Sequence, residues 1–296
     1  MTYGANLTYD NGTESIVFYS SLEDQYKSDF WLDDSPNLSG VEIEANESQT
    51  AGQIGTSINA QTVKSKPLIF TGTIHRNIPN ARAKLIRVVS PQTPGKLIYA
   101  FQGQRWYLDC VPTRTPEVSA GRVTQPFQFQ LKAAYPYWRD ANEIDESLAG
   151  LQKLFKFPFN TGGKWYLSQF SDNYYKTVIN NGNVPLGIQF SIYARGEFTN
   201  PEILHMGTGE KLTINRTFVK GESVFINTEY GRRGVQITDV NGVTSNGFRY
   251  LVEGQDGDIG MQLIPGENVF RYDAENGRDL SRVTIHFPQN GVVSGV

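Results

Sequence analysis

The chain has 296 residues, 12% of them aromatic and 19% charged, with a formal net charge of -3 at neutral pH, three histidines and one cysteine. That length predicts about two domains, each able to bury its own core, and the wealth of Tyr, Phe, Thr, Val, Ile, Gly and Asn predicts short strands joined by turns. Cys110 has no partner for an intrachain disulfide, no run reaches the ~20 apolar residues of a spanning helix, and MTYGANLTYD lacks a basic stretch before an apolar one, so the chain is expected to be made and kept in cytoplasm.

Charge is segregated along the first third. Residues 1–47 hold ten acids against Lys27 alone, whereas residues 48–108 hold eight Lys or Arg and no acid. One arrangement pairs the two segments across neighbouring strands of one sheet. A second sets them face to face across copies of the chain, as in a head-to-tail ring.

In chain order, VEIEA (Val41 to Ala45) and PLIFTGTI (Pro67 to Ile74) read as strands. PNARAKLIRVVSP predicts a short helix capped by Asn80 and running through Val89, with Leu85, Ile86 and Val89 on one side and Pro91 closing it. KLIYAF, QRWYLDCV and QPFQFQLKAAY follow as strands, the last with Phe127, Phe129, Leu131 and Ala133 inward and Gln128, Gln130 and Lys132 outward. At its end stands AYPYW, where Pro136 stops ladder pairing and Tyr137 and Trp138 cover a domain junction.

RDANEIDESLAGLQKLFKF then reads as a linker with room for a turn or two of helix. The expected organisation is a first domain over 1–140, a linker over 141–160 and a second domain over 161–296. In the second domain, turn signals such as Asn181-Gly182, Lys220-Gly221, Asn241-Gly242 and Asn276-Gly277 recur at the spacing of a β-sandwich. Leu212 and Ile214, with Val224 and Ile226, mark its buried face.

No constellation carries chemistry. His75, His205 and His286 lack metal-site spacing and read as surface or strand histidines. GTGEKLT (Gly207 to Thr213) lacks the phosphate-loop spacing and reads as a hairpin turn, and Cys110 reads as a small buried hydrophobe. Asp256, Asp258 and Glu267 fall on a calcium-loop register, but Met261 stands where that loop needs glycine. No enzyme, metal or cofactor is expected.

The segment from Arg82 to Trp138 resembles the distal tail protein family of long, non-contractile-tailed bacteriophages (siphophages). The resemblance is carried by the helix from Arg82 to Val89 ending in Ser90-Pro91, Leu97-Ile98-Tyr99, Arg105 to Leu108, and Pro136-Tyr137-Trp138. It continues through Asn181-Gly182, Asn200-Pro201, Thr208-Gly209-Glu210 and Tyr230-Gly231-Arg232, and is thinnest over the first 60 residues.

This resemblance implies a mainly β protein with an N-terminal β-barrel-like, tail-tube-like domain that forms a ring of six, and a C-terminal galectin-like β-sandwich. It implies a virion protein of the tail tip, assembled in the host cytoplasm. Its partners would be its own copies, the major tail tube protein, the tail-tip protein, the tape measure protein and receptor-binding proteins, with DNA passing through the lumen and no insertion into a membrane. On the ring reading, Arg82, Lys84 and Arg87 of one copy face Asp33, Asp34, Glu42 and Glu44 of the next; a competing reading turns the basic segment toward DNA. The alternative function is carbohydrate binding by the sandwich, with Trp165, Tyr166, Tyr174 and Tyr175 stacking on sugar rings or, on the plainer view, filling the core or an intersubunit contact.

Overall fold

A computed structural model describes residues 6–19, 25–121, 123–149, 151–153, 168–170, 174–252 and 259–292. The chain divides into two compact units: residues 1–141 with 291–296, and residues 142–290. The described residues are mainly strand.

The first unit holds β1 (Asn6–Asp10), β2 (Ser15–Tyr19), β3 (Phe30–Leu32), β4 (Ile43–Ser48), β5 (Ser57–Val63), β6 (Lys66–Ile74), α1 (Ile78–Val88), β7 (Gly95–Phe101), β8 (Gln104–Val118), β9 (Gln125–Ala133) and β10 (Trp138–Asp140). A nine-stranded antiparallel sheet runs β2-β1-β7-β8-β9-β6-β3, with β10 added on β8. Its end strands approach each other where Phe18 of β2 meets Phe30 of β3 edge to face at 5.8 Å, so the sheet is a nearly closed barrel.

Alternation drives that closure. In β6, Leu68, Phe70 and Ile74 point inward, and in β9 Phe127, Phe129, Leu131 and Ala133 do the same. Paired Phe70 and Phe129 stack at 4.6 Å across the β6–β9 ladder. Gly72 in β6 is required by close approach: a Cβ there would stand 2.2 Å from the Trp31 carbonyl oxygen and 2.6 Å from the Phe127 ring.

Helix α1 starts at Ile78 rather than behind Asn80. Asn77 takes the N-cap position in the left-handed region (φ 46°), and Pro79 occupies the first turn, where its missing N–H is no loss. Ala81, Leu85 and Val88 form the buried stripe, while Ile86, one 100° step from Leu85, is 48% exposed. The Asn11 side-chain amide donates to the Val88 carbonyl at 3.1 Å and fastens the helix end to the β1–β2 turn.

The second unit holds β11 (Glu143–Ala149), β12 (Leu151–Lys153), β13 (Ser168–Phe170), β14 (Tyr175–Asn180), β15 (Leu186–Gly187), β16 (Gln189–Ala194), β17 (Phe198–His205), β18 (Lys211–Thr213) and β19 (Thr217–Phe218). It continues with β20 (Ser223–Asn227), β21 (Gly234–Thr238), β22 (Thr244–Asn246), β23 (Gln262–Leu263), β24 (Gly266–Asn276) and β25 (Ser281–Pro288). One sheet runs β11-β25-β16-β20-β21-β22 and the other β14-β24-β17-β18 with β19 on β17. The two sheets share one core, spanned where Phe190 of β16 meets Phe270 of β24 at 5.7 Å. Leu212, Ile214, Val224 and Ile226 all lie in it.

The stretch read as a linker is strand where it begins: β11 pairs with β25 from Glu143↔Pro288 to Ala149↔Val283. Leu148 and Ala149 are buried in the second unit's core, with Ile144 packed against it. GTGEKLT forms the turn after β17 and then β18 itself, the turn closed by the Gly209 N–H donating to the His205 carbonyl at 2.8 Å. His205 is fully buried: Nδ1 accepts from the Thr208 N–H at 3.0 Å, so Nε2 carries the proton and donates to the Asn268 side-chain oxygen at 2.9 Å. A last strand, β26 (Gly291–Val292), returns to the first unit and pairs with β10.

Candidate assembly interface

Strands β4 and β5 form a two-stranded sheet of their own, with no neighbour on either edge among the described residues. All seven side chains of β5 are exposed, as are five of the six in β4. The tip is bent by Gly52 (φ 86°) and Gly55 (φ 81°), which hold Ile54 between them fully exposed. Ile43 and Ile58 are 54% and 60% exposed. Polar contacts hold the hairpin to itself: the Thr56 hydroxyl donates to Glu47 at 2.9 Å, the Gln53 amide donates to the Ser57 hydroxyl at 2.9 Å and accepts from the Thr50 N–H at 3.2 Å near the tip, and Lys64 pairs with Glu44 at the base.

A hairpin standing alone in water is at best marginally stable, and its unpaired edges and exposed isoleucines are what a partner surface buries. The hairpin is therefore the part of the first unit whose structure is least explained by its own chain.

Its root is built from three segments distant in sequence. Lys66, the first residue of β6, is 3% exposed, and its ammonium donates to the carbonyl oxygens of Leu38 at 2.7 Å and Gly40 at 2.6 Å. The indole N–H of Trp138 donates to the same Leu38 carbonyl at 2.9 Å. Burial among neutral groups pushes the Lys66 ammonium down to about 8.

AYPYW thus does more than end a strand. The chain turns at Pro136 and resumes as β10, placing Trp138 wholly inside the barrel, 6.1 Å from Tyr99, rather than over a junction. Next to it, Arg139 is buried, pairs with Asp109 at 2.6 Å, and stacks on Tyr135 at 4.5 Å. Tyr137 meets Tyr135 edge to face at 5.3 Å.

The charged residues singled out in the sequence fall on separate elements. Arg82, Lys84 and Arg87 lie on α1; Asp33 and Asp34 are exposed after β3; Glu42 precedes β4 and Glu44 lies in it. Three of the seven are engaged within the chain, Asp33 by accepting from the Thr73 hydroxyl at 3.5 Å. Arg87 grips Glu14 in a forked pair, Nε to Oε1 at 3.1 Å and Nη2 to Oε2 at 2.8 Å, and Glu44 pairs with Lys64. In each pair an acid of the first segment meets a base of the second. Arg82 and Asp34 make no ion pair among the described residues.

In the second unit, Tyr174 lies under the Arg278 guanidinium at 3.8 Å and hydrogen-bonds to Asp279, while Tyr175 is 49% exposed. Trp165, Tyr166, Asp256 and Asp258 lie outside the described residues; Met261 is core, and Glu267 stands exposed on β24. A cleft of about 350 Å³ is lined by Asn200, Glu202, Thr213, Asp273, Ala274 and Glu275. Its carboxylates are already engaged: Glu202 with Lys211 at 2.6 Å, Asp273 with Arg278 at 3.6 Å, and Glu275 with the Asn200 amide at 2.5 Å.

One constellation imitates a catalytic one. His286 Nδ1 lies 2.5 Å from Asp145 and its Nε2 3.0 Å from the Ser191 hydroxyl, across β11, β25 and β16. Ser191, however, sits mid-strand between β20 and β25, where backbone N–H groups serve the ladders rather than an oxyanion. The row pins the edge strand β11. Among the described residues, no cluster of three His, Cys, Asp or Glu is arranged to hold a metal ion. Burial first, and then the Asp109 charge, push the Cys110 thiol up to about 12, away from reactivity.

No protein-family model and no curated protein matches the sequence. The fold does match solved structures along nearly the whole chain. The SPP1 Dit (gp 19.1) protein, described as a paradigm of the hub adsorption apparatus in phages infecting Gram-positive bacteria, is 12% identical with a TM-score of 0.62, covering 96% of this chain and 97% of that one. A chain of the phage P2 baseplate, in its activated conformation with Ca and again with Sr, is 10% identical with a TM-score of 0.55, covering 95% and 97%. The chain shares its mainly β fold with these phage proteins, the match running through both of its units.

Proposed function

We propose that this chain is a structural virion protein: the hub at the distal end of a long, non-contractile phage tail. Six copies form a ring around a lumen through which DNA passes, joining the tail tube on one face to the tail-tip apparatus on the other. The tape measure and receptor-binding proteins are further partners on this reading. The observation that carries it is the fold likeness to a phage adsorption hub over both units together, 96% of the chain.

The hairpin supports a role in assembly rather than catalysis. Burying one isoleucine side chain contributes roughly 1.5–3 kcal/mol, so Ile43, Ile54 and Ile58 covered by a second copy supply several kcal/mol per contact. Electrostatics then sets register: Arg82 and Lys84 on α1 face Asp34 and Glu42 of a neighbour, with Asp33 beside them on its Thr73 hydroxyl, whereas Arg87 and Glu44 are in ion pairs at home. A lumen for rapid DNA passage argues against a strongly phosphate-binding surface, which ranks DNA contact by the basic segment second. Tyr174 is covered by the Arg278 guanidinium, so the sandwich reads first as a docking platform.

Light scattering and negative-stain microscopy of the full chain test the reading. Six-fold particles with a central hole are expected at moderate salt; a monomer at every salt and concentration counts against ring formation by the chain alone.

A further inference from the structure

The two chain segments that enter and leave the β4–β5 hairpin are tied together by one side chain. Residues 38–40 lead in and Lys66 leads out, and the Lys66 ammonium bridges the carbonyls of Leu38 and Gly40. The Leu38 carbonyl is shared, since Trp138 also donates to it from the barrel core. Just beyond, the Lys64 N–H donates to the Glu42 carbonyl at 2.8 Å and begins the hairpin ladder.

This neck is an expensive way to close a barrel end. Lys66 lies in phase with Leu68 and Phe70, at a place where an apolar side chain would lose no hydration, and its ammonium donates to two neutral carbonyls. Even a buried ion pair is often replaced by apolar residues of similar volume without loss of stability, and the Lys66 ammonium bears its desolvation cost with no carboxylate to offset it among its carbonyl partners. What an apolar residue would not do is hold two backbone oxygens of the incoming segment at fixed positions.

We propose that Lys66 is a positioning residue for assembly, fixing the direction in which the hairpin leaves the barrel, with Trp138 locking the carbonyl they share. This rests on the reading of the hairpin as the arm that meets the next copy. The subunit gives up stability at Lys66 and gains an arm already aimed, which lowers the ordering cost of association.

The test compares full-length wild type with Lys66→Met, Lys66→Arg and Trp138→Phe. Three readouts are taken: thermal midpoint of the monomer, amide exchange over residues 38–63, and the concentration at which rings form. Lys66→Met is expected to keep or raise the midpoint while exchange in the hairpin quickens at least tenfold and ring formation needs at least tenfold more protein. Lys66→Arg, which keeps donors for both carbonyls, restores much of the loss; Trp138→Phe shifts exchange in the same direction by less. Rings forming at the wild-type concentration in Lys66→Met overturn the proposal, as does a loss of rings matched by a fall in midpoint. If wild type itself makes no rings, ring formation by the chain alone fails, and the exchange comparison still decides whether Lys66 aims the hairpin.

Discussion

Strands β5 and β6 are separated only by Lys64 and Ser65, yet they meet opposite fates. β6 alternates buried and outward residues along all nine positions and pairs with β9 from end to end; β5 exposes all seven of its side chains and pairs only with β4. Both contain β-branched residues, so local propensity does not separate them. What separates them is who supplies the second face. The barrel buries β6 with its own Phe127, Phe129 and Leu131, whereas the hairpin keeps Ile43, Ile54 and Ile58 in water. On the proposed reading, a subunit's own stability and its capacity to assemble are carried by adjacent stretches.

The contrast can be broken from the barrel side first. Phe70→Ala removes a fully buried ring stacked on Phe129 and is expected to cost about 3–5 kcal/mol in urea unfolding. Gly72→Ala should cost about 1–3 kcal/mol, because the new methyl meets the Trp31 carbonyl and Phe127 ring and the strands must part. If either leaves the unfolding midpoint unchanged, the barrel is not what holds the subunit together.

Alkaline pH sharpens it further. Burial holds the Cys110 thiol and the Tyr9 hydroxyl up at about 12 each, above their values in an unfolded chain. The unfolded state therefore loses these protons first, and the stability they confer, complete below about pH 8.5, declines as pH rises toward 12. Lys66 works in the opposite sense: held down at about 8, it penalises the folded state fully below that pH and less as pH climbs toward 10.5. Unfolding at pH 7, 9 and 10.5 should accordingly show a steeper alkaline decline in Lys66→Met than in wild type. Equal slopes would remove Lys66 from the account.

Smaller effects lie at the surface. Arg87→Ala, which opens an exposed forked pair with Glu14, should cost at most about 1 kcal/mol, and less at high salt. Smallest of all for the subunit is Ile43→Ser with Ile58→Ser, expected to stay within about 0.5 kcal/mol of wild-type stability. The same pair should raise the ring-forming concentration more than tenfold, as light scattering will read. A monomer destabilised by this pair would mean the hairpin packs on its own barrel after all.

Much of this was legible in the residues. Alternation in QPFQFQLKAAY gives β9 and its inward face, and turn spacing gives the sandwich. The same period of two places Lys66 with Leu68, Phe70 and Ile74, a signal easily passed over because lysine is assumed to face water. β11 was obscured for a similar reason: its outward Glu143, Asp145 and Ser147 read as a polar linker, although Ile144 and Leu148 already mark the other side. The start of α1 was masked by Asn80, a good cap residue, when Pro79 two places into the helix leaves Asn77 as the cap. The hairpin's lack of a partner was not legible at all, since SINAQTV carries no mark of what covers it. Nor could the sequence announce a backbone carbonyl, that of Leu38, as the point where three segments meet.

The return of β26 to the barrel bears on how such a protein diversifies. Trp138 pairs with Val292 and Arg139 with Gly291, so the second unit is an insertion between two strands that are already neighbours. Excising residues 142–290 and joining Ala141 to Gly291 would leave an ordinary β-hairpin with Asp140 and Ala141 as its two-residue loop. Covalently the sandwich is a cassette: exchanging or removing it would leave the barrel and the β4–β5 hairpin in the same frame.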